Sequence, residues 1–97
     1  MAISDEEFDE VTSGNEWVLV DFWAPWCGPC KALGPVLEQI AQERGDLVIA
    51  KVNTDTDSVN AARLGVWGMP TLCRFDNGTL ADHRTGMSPT PALAHWL

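Results

Sequence analysis

The sequence predicts an α/β fold in which a central mixed β-sheet is flanked by helices on both faces. Two nearly continuous apolar runs, at 17–23 and 47–52, are typical of strands that are covered on both faces. Between them, residues 31–44 repeat apolar side chains at helical spacing, which predicts a strand–helix–strand crossover. Further on, the Asn-Gly pair at 77–78 indicates a hairpin of antiparallel strands.

The length of the chain predicts one domain, residues 1–97. A chain of this size can bury a single modest core. Its hydrophobic fraction of 45% is ordinary for a globular protein and argues against disorder. No apolar run approaches the roughly 20 residues that span a bilayer, so we expect no membrane association.

The charge balance is acidic, with 14 Asp and Glu against 6 Lys and Arg and a net charge of −8. This balance argues against nucleic acid and anionic membranes as partners, and solubility explains it most simply. The N-terminus is acidic rather than basic and then apolar, so it does not resemble a signal peptide. We therefore expect a cytoplasmic protein in a reducing environment.

The N-terminal region is predicted to contain a very short strand at 1–3 and a first helix. Ser4 and Glu7 have the spacing of a capping box, in which each side chain bonds the backbone N–H of the other residue. The helix should direct Phe8 and Val11 inward and end near Gly14, because glycine commonly ends a helix.

The second half of the chain is predicted to contain a short helix, two strands and a final helix. A short helix is expected at 57–64, and two strands are expected at 71–75 and 79–84. Ser88 and Pro89 form a typical helix start, with serine as the N-cap and proline at the first helical position. A final helix should follow to the end of the chain.

Two cysteines, in the sequence Trp26-Cys27-Gly28-Pro29-Cys30, carry the predicted chemistry. Two cysteines that are separated by two residues can close a small disulfide ring. The chain has no other paired cysteines, so this spacing is more typical of a reactive dithiol than of a structural staple. Cys27 should lie at a helix N-terminus, where backbone N–H groups and the helix dipole stabilise a thiolate.

A static disulfide and half of a zinc site are the alternatives for this cysteine pair. Structural zinc binds four ligands. The remaining candidates, Cys73, His83 and His95, do not form a second closely spaced pair. We therefore expect no metal.

The segment around the cysteines resembles the active site of the thioredoxin family. Residues 20–31 read Val-Asp-Phe-Trp-Ala-Pro-Trp-Cys-Gly-Pro-Cys-Lys, and later stretches at 51–53, 68–71 and 76–78 fit the same family in order. The resemblance covers nearly the whole chain and implies a thioredoxin fold. It also implies a thiol–disulfide oxidoreductase.

Cys27 is predicted to attack the substrate disulfide, because the helix N-terminus lowers its pKa and leaves its sulfur partly exposed. Cys30 lies one turn further on and should resolve the mixed disulfide through intramolecular attack on Cys27. Pro29 suits the first helical turn, and Gly28 permits close approach of a partner. By resemblance, Gly-Pro between the cysteines goes with a reductant, whereas oxidants and isomerases typically carry histidine beside the second cysteine.

Asp21 is the one charged residue in its apolar strand, and burial should raise the pKa of its carboxyl group. The matching residue of the family exchanges protons with the second cysteine through water. Lys51 matches the lysine that lies near this carboxylate. A structural acid with a fixed partner and a plain surface lysine are the alternatives for these two residues.

The Met69–Pro70 peptide bond is expected to be cis and to face the cysteines, with a trans turn as the alternative. A substrate strand could then pair with the backbone of Met69. We expect an apolar surface for substrates around this turn, formed by Trp26, Trp67, Met69, Gly86 and Met87 beside Gly28, Pro29 and Pro70. For Trp67 the alternative is an indole folded over the preceding helix.

Cys73 lies in a predicted central strand and is interpreted as a small buried hydrophobic residue. A regulatory thiol is the alternative for this position.

The resulting hypothesis is a cytoplasmic, monomeric disulfide reductase that acts as a general electron donor and binds no cofactor of its own. The resemblance implies two kinds of partner, disulfide-containing proteins and a thioredoxin reductase that draws on NADPH. A disulfide oxidant or isomerase outside the cytosol remains an alternative. A redox-independent binding subunit is the other.

Overall fold

The computed structural model describes residues 1–86 of the chain. Three helices and four strands form this part, in chain order α1 (Phe8–Ser13), β1 (Trp17–Trp23), α2 (Gly28–Glu43), β2 (Leu47–Asn53), α3 (Val59–Arg63), β3 (Thr71–Asp76) and β4 (Thr79–Thr85). The predicted final helix and Met87 lie outside the described residues.

The strands form one mixed sheet in the order β2-β1-β3-β4. β1 pairs with β2 in parallel and with β3 in antiparallel orientation, and β4 continues the sheet beside β3. The hairpin between β3 and β4 turns through Asn77 (φ 48°) and Gly78 (φ 87°), both in the left-handed region. These are the residue types that tolerate such a turn, and the predicted hairpin is confirmed.

Helices cover both faces of the sheet, as predicted. On one face, Phe8 of α1 packs against Phe22 and Phe75, with ring centroids 6.1 Å and 5.7 Å apart, and Ala61 of α3 joins the same cluster. On the other face, α2 buries an apolar stripe against β1 and β2 that consists of Leu33, Leu37 and Ile40. No helix among residues 1–86 is both long and apolar enough to cross a membrane.

The N-terminal segment differs from the prediction in two respects. Instead of a strand, residues 1–3 make a single bridge to β2, through Ala2 and Lys51. Half of the predicted capping box forms, because a carboxylate oxygen of Glu7 accepts the N–H of Ser4 at 3.0 Å. The Ser4 hydroxyl donates to the same oxygen rather than accepting the N–H of Glu7, which bonds the Ser4 carbonyl instead.

α2 begins at Gly28 with Cys27 as its N-cap residue, as the predicted positions of Cys27 and Pro29 require. The helix therefore includes Cys30. α3 is shorter than the predicted 57–64 and begins only at Val59.

Asp5 caps α3 from a distant part of the chain. Its carboxylate accepts the backbone N–H groups of Val59 and Asn60 at 3.0 Å and 3.1 Å, and also the side-chain amide of Asn60 at 2.9 Å. The N-cap residue Ser58 makes no side-chain cap of its own. Burial raises the pKa of the Asp5 carboxyl, but these hydrogen bonds outweigh it and hold the pKa below its usual value. Asp5 thus supplies the acceptor that helix starts require.

Replacing Asp5 with alanine should lower the free energy of unfolding by about 1–2 kcal/mol at neutral pH, because α3 loses its cap. The folded-state pKa lies below the unfolded value, so this contribution is present above about pH 4 and is lost as the pH falls further. Urea unfolding at pH 7 and pH 3 measures both effects. Glu6→Ala removes an exposed neighbouring acid and is the control; an equal loss in both variants would contradict the cap.

Candidate active site

A disulfide between Cys27 and Cys30 lies at the start of α2. The turn after β1 positions Cys27, whose N–H donates to the carbonyl of Ala24 at 3.1 Å. Cys27 is the N-cap residue of α2, and its Sγ accepts the N–H of Cys30 at 3.2 Å. The sulfur of Cys27 thus occupies the position at which a helix start stabilises negative charge.

The predicted exposure of Cys27 is wrong for this disulfide form. Cys27 and Cys30 are each only 4% exposed, and their sulfurs form a small apolar cluster with Ala24. Trp23 and Met69 pack against this cluster. The packing of Ala24, Trp23 and Met69 around the cysteines covers Cys27, and its position before a helix does not reveal this packing.

Asp21 and Lys51 are direct neighbours in the parallel pairing of β1 and β2. Both line a cavity of about 250 Å³ beneath the start of α2, which Cys30 also lines. The cavity therefore brings together Cys30, predicted to resolve the mixed disulfide, Asp21, predicted to exchange its proton, and Lys51, expected near this carboxylate.

Because it is buried, the carboxyl group of Asp21 is a weaker acid than an exposed aspartate. The residue is only 2% exposed, and its Oδ1 has no hydrogen-bond partner among residues 1–86. Burial raises the pKa of this carboxyl to about 6, although the positive charge of Lys51 acts in the opposite direction. A group with this pKa can accept and release a proton near neutral pH.

Five further residues line the cavity, none of which the sequence analysis had assigned to the site: Trp23, Lys31, Gly34, Pro35 and Glu38. Gly34 and Glu38 belong to the cavity side of α2. A Cβ atom at Gly34 would lie 3.4 Å from the Nζ of Lys51, so glycine leaves this space open. Both residues fall on the cavity side of α2 at helical spacing from Cys30 and Lys31. That periodicity was the signal by which they could have been found.

The Met69–Pro70 bond is cis, as predicted. The side chain of Met69 packs against the disulfide cluster, and this places the turn beside the cysteines. The carbonyl of Pro70 accepts the N–H of Gly86 at 2.8 Å, so the end of β4 is tied to the turn. Gly86 has φ 91°, a conformation that glycine adopts without strain.

Two tryptophans near the site are largely exposed. Trp26 is 71% exposed, and its indole N–H donates to the carboxylate of Asp55 at 3.1 Å. Trp67 is 85% exposed, which excludes the alternative in which its indole folds over the preceding helix. Gly28 and Pro29 are also exposed beside the disulfide.

Thr54 and Asp55 are site residues that the sequence analysis missed. The N–H and the hydroxyl of Thr54 both bond the carbonyl of Trp23, at 2.9 Å and 3.1 Å. The two residues directly follow β2, whose carboxyl end lies at the same edge of the sheet as that of β1. This topological relation was the available signal, because polar residues after adjacent parallel strands converge.

Cys73 is 1% exposed, and burial raises the pKa of its thiol to about 11. These properties agree with its interpretation as a buried hydrophobic residue. Within residues 1–86, no group of three or more His, Cys, Asp or Glu side chains is arranged to hold a metal ion.

Comparisons with known proteins agree on one family. The thioredoxin family model matches residues 1–97. Thioredoxin 1 of Synechococcus elongatus is 44% identical over 98 residues, which cover 99% of this chain and 92% of that protein. Thioredoxin of Bacillus subtilis is 44% identical over 91 residues, covering 93% of this chain and 86% of its own length.

A solved structure of a mutant thioredoxin from Halobacterium salinarum has a TM-score of 0.93 and 38% identity, covering 99% of this chain and 85% of its own. The fold, the disulfide at the start of α2 and the sequence relatives all lead to the same conclusion. The chain belongs to the thioredoxin family and is a thiol–disulfide oxidoreductase that reduces protein disulfides.

Proposed function

We propose that Cys27 is the attacking thiol and Cys30 the resolving thiol of a general protein-disulfide reductase. The observation that carries this assignment is the Sγ of Cys27 at the N-cap of α2, where it accepts the N–H of Cys30. A thiolate at this position is stabilised by that N–H group and by the helix dipole, and a thiolate is the form that attacks disulfides.

The reaction proceeds in two exchanges. The Cys27 thiolate attacks one sulfur of the substrate disulfide, forms a mixed disulfide and releases the other substrate sulfur as a thiolate. Cys30 then loses its proton and attacks the Cys27 sulfur, which forms the Cys27–Cys30 disulfide and releases the second substrate sulfur. Two electrons pass from the protein dithiol to the substrate, and the two thiol protons end on the substrate sulfurs.

Asp21 is the proposed acceptor of the Cys30 proton. Its carboxyl and Cys30 line the same cavity, and a volume of about 250 Å³ is enough for several water molecules. A pKa of about 6 leaves most of the carboxylate ionised at neutral pH and able to accept a proton. Lys51 faces the same cavity, and its charge favours the ionised carboxylate.

The proposed substrate surface surrounds the disulfide and the cis-proline turn. It comprises Trp26, Gly28, Pro29, Trp67, Met69, Pro70, Gly86 and Met87. Met87 is assigned by resemblance alone, since it lies outside the described residues. The exposure of both tryptophans and the contact of Met69 with the disulfide cluster support the assignment of the others.

A single domain of residues 1–97 that acts as a monomer in the cytoplasm is the proposed working form. Its partners are disulfide-containing proteins and a thioredoxin reductase that draws on NADPH. Family membership supports both partners.

The reduction potential of the Cys27–Cys30 pair tests the direction of the reaction. Equilibration against defined glutathione buffers should give a value near about −270 mV, which is typical of thioredoxin-type reductants. A value near about −180 mV or above would contradict the assignment as a reductant and indicate an isomerase or oxidant. A pair without a reversible couple would favour a redox-independent binding subunit.

A further inference from the structure

We propose that Trp67, together with Trp26 and Asp55, favours substrates that carry a lysine or arginine side chain beside their disulfide. The inference rests on the proposed function, because it concerns which disulfides the same site reduces best. The occupant of this surface is thus a cationic disulfide-bearing segment.

Trp67 lies in the segment that leads into the cis-proline turn. It lies two residues before Met69, whose side chain packs against the disulfide cluster. The carbonyl of the intervening Gly68 accepts the hydroxyl of Thr71 at 2.6 Å, and a Cβ at Gly68 would meet Thr85 at 3.0 Å. The ring therefore extends into solvent from a fixed position beside the site.

Trp26 presents a second aromatic face, and the carboxylate of Asp55 lies at the edge of its ring. Its indole N–H is bonded at the ring edge to Oδ1 of Asp55, which leaves the exposed face of the ring open. Asp55 is exposed as well, and the two ion pairs found among residues 1–86, Arg44–Asp46 and Arg63–Asp9, do not involve it.

The charges of the protein complement a cationic substrate. Among residues 1–86, the cation–π contact is formed by Arg63 over the ring of Phe8, with the guanidinium carbon 5.6 Å from the ring centroid. No lysine or arginine of this part of the chain makes such a contact with Trp26 or Trp67. Over the whole chain, 14 acidic residues face 6 basic ones. This excess attracts cationic partners at low ionic strength and repels acidic ones.

A lysine or arginine side chain beside the disulfide gains from contact with either exposed tryptophan face, and at Trp26 also from the Asp55 carboxylate. Tryptophan is the best aromatic partner for a cation, and an exposed contact of this kind corresponds to about a two- to fivefold gain in binding. The uncharged analogue of the same shape gains only the apolar contact. We therefore expect the preference in kcat/KM rather than in the chemistry of the sulfurs.

Three oxidised peptides that are identical except for one residue beside the disulfide test the proposal. This residue is arginine, its neutral isostere citrulline, or glutamate. The full chain in its dithiol form should reduce the arginine peptide about two- to fivefold faster than the citrulline peptide, and the glutamate peptide slowest. The ratio of the arginine to the citrulline rate should fall as salt is added.

Variants then assign the preference to particular residues. Trp67→Leu should lower the arginine-to-citrulline ratio, and Trp67→Phe should lower it less, because the aromatic face remains. Asp55→Asn should lower the ratio and weaken its salt dependence. Val59→Ala, which alters another exposed apolar side chain outside the proposed surface, should leave the ratio unchanged.

Two other outcomes have separate meanings. Equal rates for the arginine and citrulline peptides, or a ratio that is unchanged in Trp67→Leu, would overturn the proposed selectivity and leave the reductase assignment intact. If the wild-type dithiol reduced none of the three peptides faster than its Cys27→Ser variant, the proposed function itself would fail.

Discussion

Replacing Cys27 with serine is expected to abolish disulfide reduction, with a fall in kcat/KM of about 10³-fold or more. A hydroxyl at the N-cap of α2 can still accept the N–H of Cys30, so the fold should persist. It cannot provide a thiolate near neutral pH, because the helix start stabilises negative charge only on a group that ionises readily. Insulin reduction with dithiothreitol as the electron source measures the loss.

Cys30→Ser should have a different effect and so separate the roles of the two thiols. Cys27 still attacks, but no second thiol resolves the product, and a stable mixed disulfide with the substrate accumulates. Mass spectrometry under non-reducing conditions detects this adduct. Adduct formation by Cys27→Ser instead would reverse the two assignments.

Cys73→Ala is the matched control for both variants. Cys73 lies in the core of β3 with a raised thiol pKa, and it faces neither the disulfide cluster nor the cavity of Asp21. Its removal should leave the rate of insulin reduction unchanged. A large loss of rate in Cys73→Ala would contradict the interpretation of this residue as buried and inert.

Asp21→Asn is expected to slow turnover and to remove one pH dependence. In the wild-type protein the resolving step should accelerate as the pH rises through about 6, because the carboxylate must be ionised to accept the Cys30 proton. The asparagine variant should lack this rise. Single-turnover reduction of insulin between pH 5 and pH 8 gives the profile, and unchanged kinetics in the variant would exclude a role in proton transfer.

The same substitution should stabilise the oxidised protein. The folded-state pKa of about 6 lies above the unfolded value near 3.8, so the folded protein holds this proton more tightly than the unfolded chain does. Stability is therefore lost as the pH rises between these values, and at pH 8 the buried charge costs about 3 kcal/mol. Asp21→Asn should recover most of that free energy at pH 8 and little of it at pH 4.

Glu38→Gln is the control for this stability effect. It makes the same chemical change at an exposed residue that lines the same cavity. Because Glu38 is exposed, the free energy of unfolding of the Glu38→Gln variant should differ from that of the wild-type protein by no more than about 0.5 kcal/mol. Equal stabilisation in the two variants would indicate that overall charge, rather than burial of Asp21, is responsible.

Local features of the sequence were sufficient for most of the fold. The apolar runs of β1 and β2, the helical stripe of α2 and the Asn77-Gly78 turn each encode their conformation within a few residues. Periodicity and turn chemistry are local properties, so they can be recognised without a structure. The cysteine pair and the Met69–Pro70 bond were recognised in the same way, with help from the family resemblance.

Contacts between distant residues were decided by the tertiary structure alone. Asp5 caps α3 across 55 residues, and Asp55 meets the indole of Trp26 across 29. Neither pair has a spacing that marks it in the sequence, because the partners meet only once the sheet has assembled. Ser58, the N-cap residue of α3, makes no side-chain cap, and nothing in the sequence around it indicates that Asp5 caps the helix instead.

The sequence by itself was enough to predict the cysteine pair and the buried acid of this protein, because both depend on residue type and near-neighbour spacing, and its resemblance to one family predicted the fold. Only the tertiary structure decided how deeply the disulfide lies and which side chains close the cavity between Asp21, Lys51 and Cys30. It also decided that two tryptophans stand exposed beside the site. Burial and exposure depend on how separate elements pack, and that packing is a property of the whole fold.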